Sequence, residues 1–100
     1  MDIRQAFAKA LRQARKTRGL TQEDFSLVSS RTYLSTLERG LKSPTLDKIQ
    51  SISEVLGIHP LTLLLLAFGH AEKKGQSAIL ERMAEEVSTI TQIQDPSGNP

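Results

Sequence analysis

Each of four glycines follows a run in which apolar residues recur every three or four positions: Gly19, Gly40, Gly57 and Gly69. That spacing places the apolar side chains on one face of an α-helix. Glycine readily adopts the left-handed backbone conformation that ends a helix. The chain is therefore constrained to short helices, and it shows no β-type alternation and no internal repeat. The pattern predicts an all-α fold built around one small core.

Six helices are predicted between these stops. The first, third, fifth and sixth cover residues 3–18, 30–39, 61–68 and 78–92. The second begins at Thr21, and the fourth begins at Thr45 and stops at Gly57. Thr21 and Asp24 form a capping-box pair at the start of the second helix. We expect Thr45 to cap the fourth helix and His59 to cap the fifth, where Pro60 suits the first turn. We assign residues 1–70 to one domain, 71–94 to a C-terminal helix and the turn-forming 95–100 (DPSGNP) to a disordered tail.

Charge is distributed unevenly along the chain, although the net charge is only +2. Residues 1–48 contain ten Lys and Arg against five Asp and Glu, whereas residues 49–100 contain three against six. A basic first half indicates a surface that faces a polyanion. The alternative is a first helix that is simply charged and solvated.

Several classes of protein are disfavoured by composition. The chain has no cysteine and two histidines without ligand neighbours, so we expect no disulfide, no metal site and no cofactor. It also lacks a glycine-rich phosphate loop and an evident pair of catalytic carboxylates, so we do not expect an enzyme. The longest apolar run, residues 61–68, is far shorter than the roughly 20 residues of a membrane span. We expect a cytoplasmic protein that does not associate with membranes.

The third predicted helix has two contrasting faces. Leu34 and Leu37 point one way, towards a core, at about 100° per residue. The other face is small, hydroxylated and cationic, and it carries Thr32, Ser35, Thr36 and Arg39 with Arg31 beside them. Such a face can enter the major groove of DNA, since no acidic side chain at its centre opposes the phosphates.

Three further residues flank that helix and suit contacts with phosphate. Gln22 lies at the start of the second helix, where free backbone amides also favour an anion. Lys42 and Ser43 lie in the loop after the third helix, where they can bind the DNA backbone.

Two inward charges, Arg15 and Glu38, each lie next to an inward leucine. We predict that they form a partly buried ion pair between the first and third helices.

Three motifs resemble the phage repressor and Cro family of helix-turn-helix domains, also called the xenobiotic-response-element type. They are LRQARKTRGLTQEDF, SRTYLSTLERG and SPTLDKIQSISEVLGIHPLTLL, and the resemblance covers about residues 7–66. It implies a five-helix repressor-like bundle, here with an added C-terminal helix, that is usually dimeric on pseudo-palindromic operators.

The resemblance also implies roles for single residues. Arg31, Thr32 and Thr36 fall where the family contacts bases. Gln22, Ser30, Arg39 and Lys42 fall where it holds phosphate or aids docking, and we group Ser35 and Ser43 with them. Arg15 and Glu38 match the structural ion pair of the family. One difference is that residues 21–38 are two residues shorter than usual, with Ser29 and Ser30 at the turn. This predicts either a clipped second helix or an altered angle between the second and third.

The sequence therefore predicts a bacterial or phage-encoded transcription regulator, a repressor or controller, that binds double-stranded DNA as a homodimer on an inverted repeat. Leu80, Met83, Val87 and Ile90 have heptad-like spacing, and we assign them to dimerisation. The alternative is that this helix straps its own bundle. The alternative function is a protein-interaction module, such as an antitoxin or bridging factor, with a toxin or polymerase as partner.

Overall fold

A computed structural model of the chain describes residues 1–94, and the predicted tail at 95–100 lies outside them. The described residues form five α-helices and one 3₁₀ helix, without a strand. The helices are α1 (Ile3–Thr17), the 3₁₀ helix (Gln22–Phe25), α2 (Arg31–Glu38), α3 (Leu46–Leu56), α4 (Pro60–Glu72) and α5 (Gln76–Gln94). The all-α prediction is confirmed.

Local capping sets most of the helix boundaries. The Thr45 hydroxyl accepts a hydrogen bond from the Lys48 amide at 3.1 Å, and the His59 ring accepts one from the Leu61 amide at 3.0 Å. Gly57 ends α3 with a φ of 72°, a conformation that side chains bearing a Cβ rarely adopt. These starts and stops agree with the sequence prediction because they depend on neighbouring residues alone.

The predicted second helix is clipped to the four-residue 3₁₀ helix. The Asp24 carboxylate accepts hydrogen bonds from the Thr21 amide at 2.7 Å and the Thr21 hydroxyl at 3.1 Å. The chain then makes a single helical turn, in which the Ser29 amide donates to the Phe25 carbonyl at 2.9 Å. The two residues missing between Thr21 and Glu38 are thus accommodated by shortening the second helix.

The predicted stop at Gly69 is wrong. The helix α4 continues through Gly69 to Glu72, and the chain turns at Lys73, which has a φ of 56°. Glycine inside a helix costs about 1 kcal/mol relative to alanine but does not by itself end the helix. The following turn is held from outside, since the His70 ring is 3.1 Å from the Gln13 side-chain oxygen on α1.

One core is shared by every element before α5. Its largest fully buried apolar side chains are Leu11, Phe25, Leu34, Leu37, Ile52, Leu56 and Leu63. The most extensive packing is between α1 and α4, while α5 packs on α4. This arrangement leaves the outer face of α2 free of the bundle.

Two further properties concern membranes and metals. No single helix in residues 1–94 is long and apolar enough to cross a membrane. Taken together, α3 and α4 have the length and composition of a span, but the chain bends by 105° between them. Among the same residues, no group of three or more His, Cys, Asp or Glu side chains could hold a metal ion.

Candidate nucleic-acid interface

The helix α2 is anchored by one face and presents the other. Leu34 and Leu37 are fully buried, whereas Arg31 and Thr32 in the first turn are exposed. Ser30 caps the helix, since its hydroxyl oxygen accepts a hydrogen bond from the Tyr33 amide at 3.1 Å. Within the first turn of α2, Arg31 and Thr32 therefore project away from the core.

Part of the hydrogen-bonding capacity of this outer face is used within the helix. The Thr36 hydroxyl donates to the Thr32 carbonyl at 2.8 Å, so its oxygen can still accept a hydrogen bond and its methyl group can contact an apolar base edge. Arg39 leans back along the helix, with its Nε 3.4 Å from the Ser35 carbonyl oxygen. Ser35 and Thr36 are half-buried, and Arg39 is exposed.

An acidic residue lies at the edge of this face and escaped the sequence prediction. The Glu23 carboxylate is 3.9 Å from the Arg31 guanidinium, and both side chains are about three-quarters exposed, at 75% and 78%. An exposed ion pair of this length contributes little to stability. Arg31 is thus free to leave it for a base or a phosphate.

An ion pair joins α1 to the end of α2. Arg15 Nε lies 2.6 Å from Glu38 Oε2, and Arg15 Nη2 lies 2.9 Å from Glu38 Oε1. Hydrogen bonding to Glu38 raises the pKa of Arg15 against the opposing effect of burial, so the guanidinium stays charged. Arg15 also donates to the Leu20 carbonyl at 3.0 Å, and Arg12 donates to the Glu38 carbonyl.

Gln22 belongs to the same network. Its side-chain amide nitrogen is 3.1 Å from Glu38 Oε1. The residue predicted to hold phosphate at the start of the 3₁₀ helix is therefore oriented by the buried carboxylate. The network links α1, the 3₁₀ helix and α2 at one point.

The loop after α2 carries the remaining predicted phosphate contacts. Lys42 and Ser43 are exposed there. Gly40 directs the chain into this loop with a φ of 72°, and a Cβ at that position would lie 2.8 Å from the Gln5 side-chain nitrogen. The left-handed backbone conformation favours glycine at this position, whereas the exposed Gln5 side chain is flexible and can move aside.

Lys48 on α3 was missed by the sequence prediction. Its ammonium lies 2.6 Å from the Val28 carbonyl oxygen and 5.3 Å from the centre of the Tyr33 ring. The one sequence signal is weak: Lys48 adjoins the inward Ile49 in the first turn of α3, where a cation is disfavoured by the helix dipole.

The four residues assigned to dimerisation do not share one environment. Leu80, Val87 and Ile90 are 51%, 61% and 54% exposed. Met83 is half-buried, and its assignment to dimerisation stays a prediction. With Leu61, Leu65, Phe68 and Ile79 it lines a groove of about 410 Å³ between α4 and α5. Thus α5 packs on its own bundle and still leaves an apolar row uncovered.

Comparisons with known proteins agree with this geometry. The family model described as helix-turn-helix matches residues 11–63. The chain is 38% identical over 77 residues to control protein C.BamHI of Bacillus amyloliquefaciens, covering 73% of this chain and 95% of that protein. It is 35% identical over 66 residues to an uncharacterized HTH-type transcriptional regulator, y4dJ of Sinorhizobium fredii, covering 64% and 86%.

Solved structures extend the likeness to the fold. Two crystal structures of the clp gene regulator ClgR from Corynebacterium glutamicum resemble this chain with TM-scores of 0.65. One is 32% identical and covers 70% of this chain and 94% of its own. The other is 28% identical and covers 96% and 97%, so its likeness extends over α5 as well.

Proposed function

Because this chain belongs to the helix-turn-helix family of transcription regulators, we propose that it recognises a specific operator by placing α2 in the major groove of DNA. One observation carries the proposal. Leu34 and Leu37 are fully buried on one face of α2, while Arg31 and Thr32 project from the other. A helix held in this way can bring side chains to base edges without unfolding any part of the core.

The contacts divide into two groups under this proposal. Arg31, Thr32 and Thr36 contact bases, because they lie on the outer face of α2. A second set holds phosphates or aids docking: Gln22, Ser30, Ser35, Arg39, Lys42 and Ser43. Phosphate contacts fix the position of the protein on the duplex, whereas base contacts select the sequence.

We further propose that two copies bind an inverted repeat as a homodimer. The exposed row of Leu80, Val87 and Ile90 on α5 supplies the apolar surface. Met83 contributes by packing α5 onto α4. Two α2 helices then enter successive major grooves about 34 Å apart. Occupancy of the operator would make the protein a repressor or controller; one relative is called a control protein. We propose no enzymatic activity.

Selection of bound sequences from random duplexes tests the proposal. We expect an enriched inverted repeat for the unmodified chain and no enrichment for an Arg31→Ala, Thr36→Ala variant. Arg82→Ala is the matched control, since Arg82 is an exposed arginine on α5. Enrichment of a single half-site would contradict the dimer, and a pool that stays random would contradict operator recognition.

The groove between α4 and α5 favours a second candidate, a protein-interaction module that binds an apolar helix of a toxin or of polymerase. The two candidates separate by mutation. Neutralising Arg31 and Arg39 abolishes activity if DNA is the main ligand. Activity that survives this change but is lost on polar substitution of Leu61 and Phe68, which line the groove, would favour the protein ligand.

A further inference from the structure

The segment between the 3₁₀ helix and α2 is held from outside by α3. Inside this segment, the Val28 and Ser29 amides both donate to the Phe25 carbonyl, at 3.0 and 2.9 Å. The carbonyl of Val28 accepts from the Lys48 ammonium at 2.6 Å. Because this bond is part-buried and its donor is charged, it is stronger than an ordinary surface hydrogen bond.

The same ammonium also contacts α2. It lies 5.3 Å from the centre of the half-buried Tyr33 ring, within the range of a cation–π interaction. Tyr33 packs against the core from the first turn of α2. A single cation on α3 therefore touches both the segment that leads into α2 and the first turn of α2.

The charge of Lys48 is unfavourable within α3 and is stabilised by contacts with other elements. It is the third residue of that helix, where the helix dipole disfavours positive charge. Its favourable electrostatic contacts are those made to Val28 and Tyr33. The lysine side chain thus joins α3 to the neighbouring elements, and its charge does not stabilise α3 itself.

We propose that Lys48 is a positioning residue that sets the orientation of α2 for sequence-specific binding. It acts through Val28 and Tyr33 and does not itself touch DNA. Tyr33 directly follows Thr32, so movement of the ring moves the proposed base contacts. Base recognition requires directed hydrogen bonds, which weaken steeply when misaligned. The inference rests on the proposed function, since its main readout is discrimination between duplexes.

The test compares Lys48→Met with Lys9→Met in the full chain. Both variants lose one charge from the basic half of the molecule, but Lys9 lies exposed on α1. Affinity is measured for a duplex selected by the unmodified chain and for a scrambled duplex. We expect Lys48→Met to lower the ratio of the two affinities about tenfold, the size expected when a charge-assisted hydrogen bond is lost. Lys9→Met should leave the ratio unchanged.

Salt dependence separates positioning from direct contact. The slope of log affinity against log salt should be the same for Lys48→Met and the unmodified chain, because the ammonium is bonded within the protein. A slope that falls by about 0.9 would mean that Lys48 holds a phosphate, and this result would overturn the inference. So would an unchanged affinity ratio.

Tyr33 provides a second route that does not depend on the folding of Lys48→Met. Tyr33→Phe keeps the ring face and should retain the ratio, whereas Tyr33→Leu should lower it. Combined with Lys48→Met, Tyr33→Leu should cost no more than Lys48→Met alone, since the ring contact is one of the two contacts that Lys48 makes. Fully additive losses would overturn the inference. Absence of any selected duplex for the unmodified chain is a separate result, which contradicts the proposed function before any variant is made.

Discussion

Both carboxylate oxygens of Glu38 on α2 bind the guanidinium of Arg15 on α1, at 2.6 and 2.9 Å. The two side chains are only 5% and 14% exposed. Each charge in this buried ion pair compensates for the lost hydration of the other, because either one alone would be buried without a counter-charge. Together with the buried Leu34 and Leu37, this pair therefore holds α2 against α1.

Removal of one partner should destabilise the protein strongly. We expect Arg15→Met to lower the free energy of unfolding by about 3–5 kcal/mol, since it leaves the Glu38 carboxylate buried and unpaired. Urea denaturation followed by circular dichroism measures this change. The double variant Arg15→Met, Glu38→Met should recover much of the loss.

Arg82→Met is the control for that experiment. Arg82 and Glu86 form an ion pair at 3.0 Å, but their side chains are 70% and 56% exposed. Its loss should leave the denaturation midpoint unchanged. An equal loss in the two single variants would show that burial does not determine the strength of the Arg15–Glu38 pair.

Ser53 offers a stabilising change. Its hydroxyl is buried in α3 and has no hydrogen-bond partner among the described residues. Ser53→Ala removes an unsatisfied polar atom and should raise the free energy of unfolding by about 1 kcal/mol. Ser51→Ala is the matched control, because the Ser51 hydroxyl already donates to the Asp47 carbonyl at 2.8 Å. A destabilised Ser53→Ala would show that the hydroxyl is satisfied in solution.

Thr36 should govern sequence preference. Its hydroxyl proton is bonded to the Thr32 carbonyl, so the side chain can accept from a base or cover a thymine methyl group. We expect Thr36→Ala to reduce discrimination between the selected operator and single-base variants by about 1–3 kcal/mol at the contacted position. Fluorescence anisotropy against a set of point-substituted duplexes measures the effect. Uniform weakening across the set would place Thr36 among the docking residues.

Lys42 should contribute to DNA affinity independently of the base sequence. Its exposed side chain follows α2 in a loop, where it can neutralise one phosphate. Lys42→Ala should weaken binding to all duplexes alike and flatten the salt slope by about one unit. Lys9→Ala again serves as the charge-matched control. A loss confined to the selected operator would contradict the assignment to phosphate.

The exposed row on α5 should hold the dimer together. The triple change of Leu80, Val87 and Ile90 to Gln should shift the chain towards monomer in analytical ultracentrifugation, because it removes the apolar surface that drives association. Thr89→Gln is the control, since at 100° per residue Thr89 points to the other side of α5. A triple variant that remains dimeric would place the interface elsewhere.

Local features of this protein were accessible from sequence. The caps at Thr45 and His59 and the stop at Gly57 depend on a few neighbouring residues, and each lies where the sequence predicts it. The Arg15–Glu38 pair is predictable because each residue is a charge beside an inward leucine. The inward and outward faces of α2 follow from helical periodicity alone.

Features that depend on how helices meet were not accessible in this way. Gly69 is a helix stop by local rules, yet α4 continues because α1 supports the next turn. Met83 and Leu80 are both apolar at helical spacing, and only the docking of α5 on α4 determined which of them is covered.

The sequence by itself determined the helical class, most helix boundaries and the polar face of α2, because these follow from periodicity and capping within a few residues. Tertiary structure alone decided between a clipped second helix and an altered helix angle, and it alone showed that Lys48 on α3 supports the segment before α2. That contact joins residues 20 positions apart. Its formation depends on the distance between two packed elements, which no local pattern encodes.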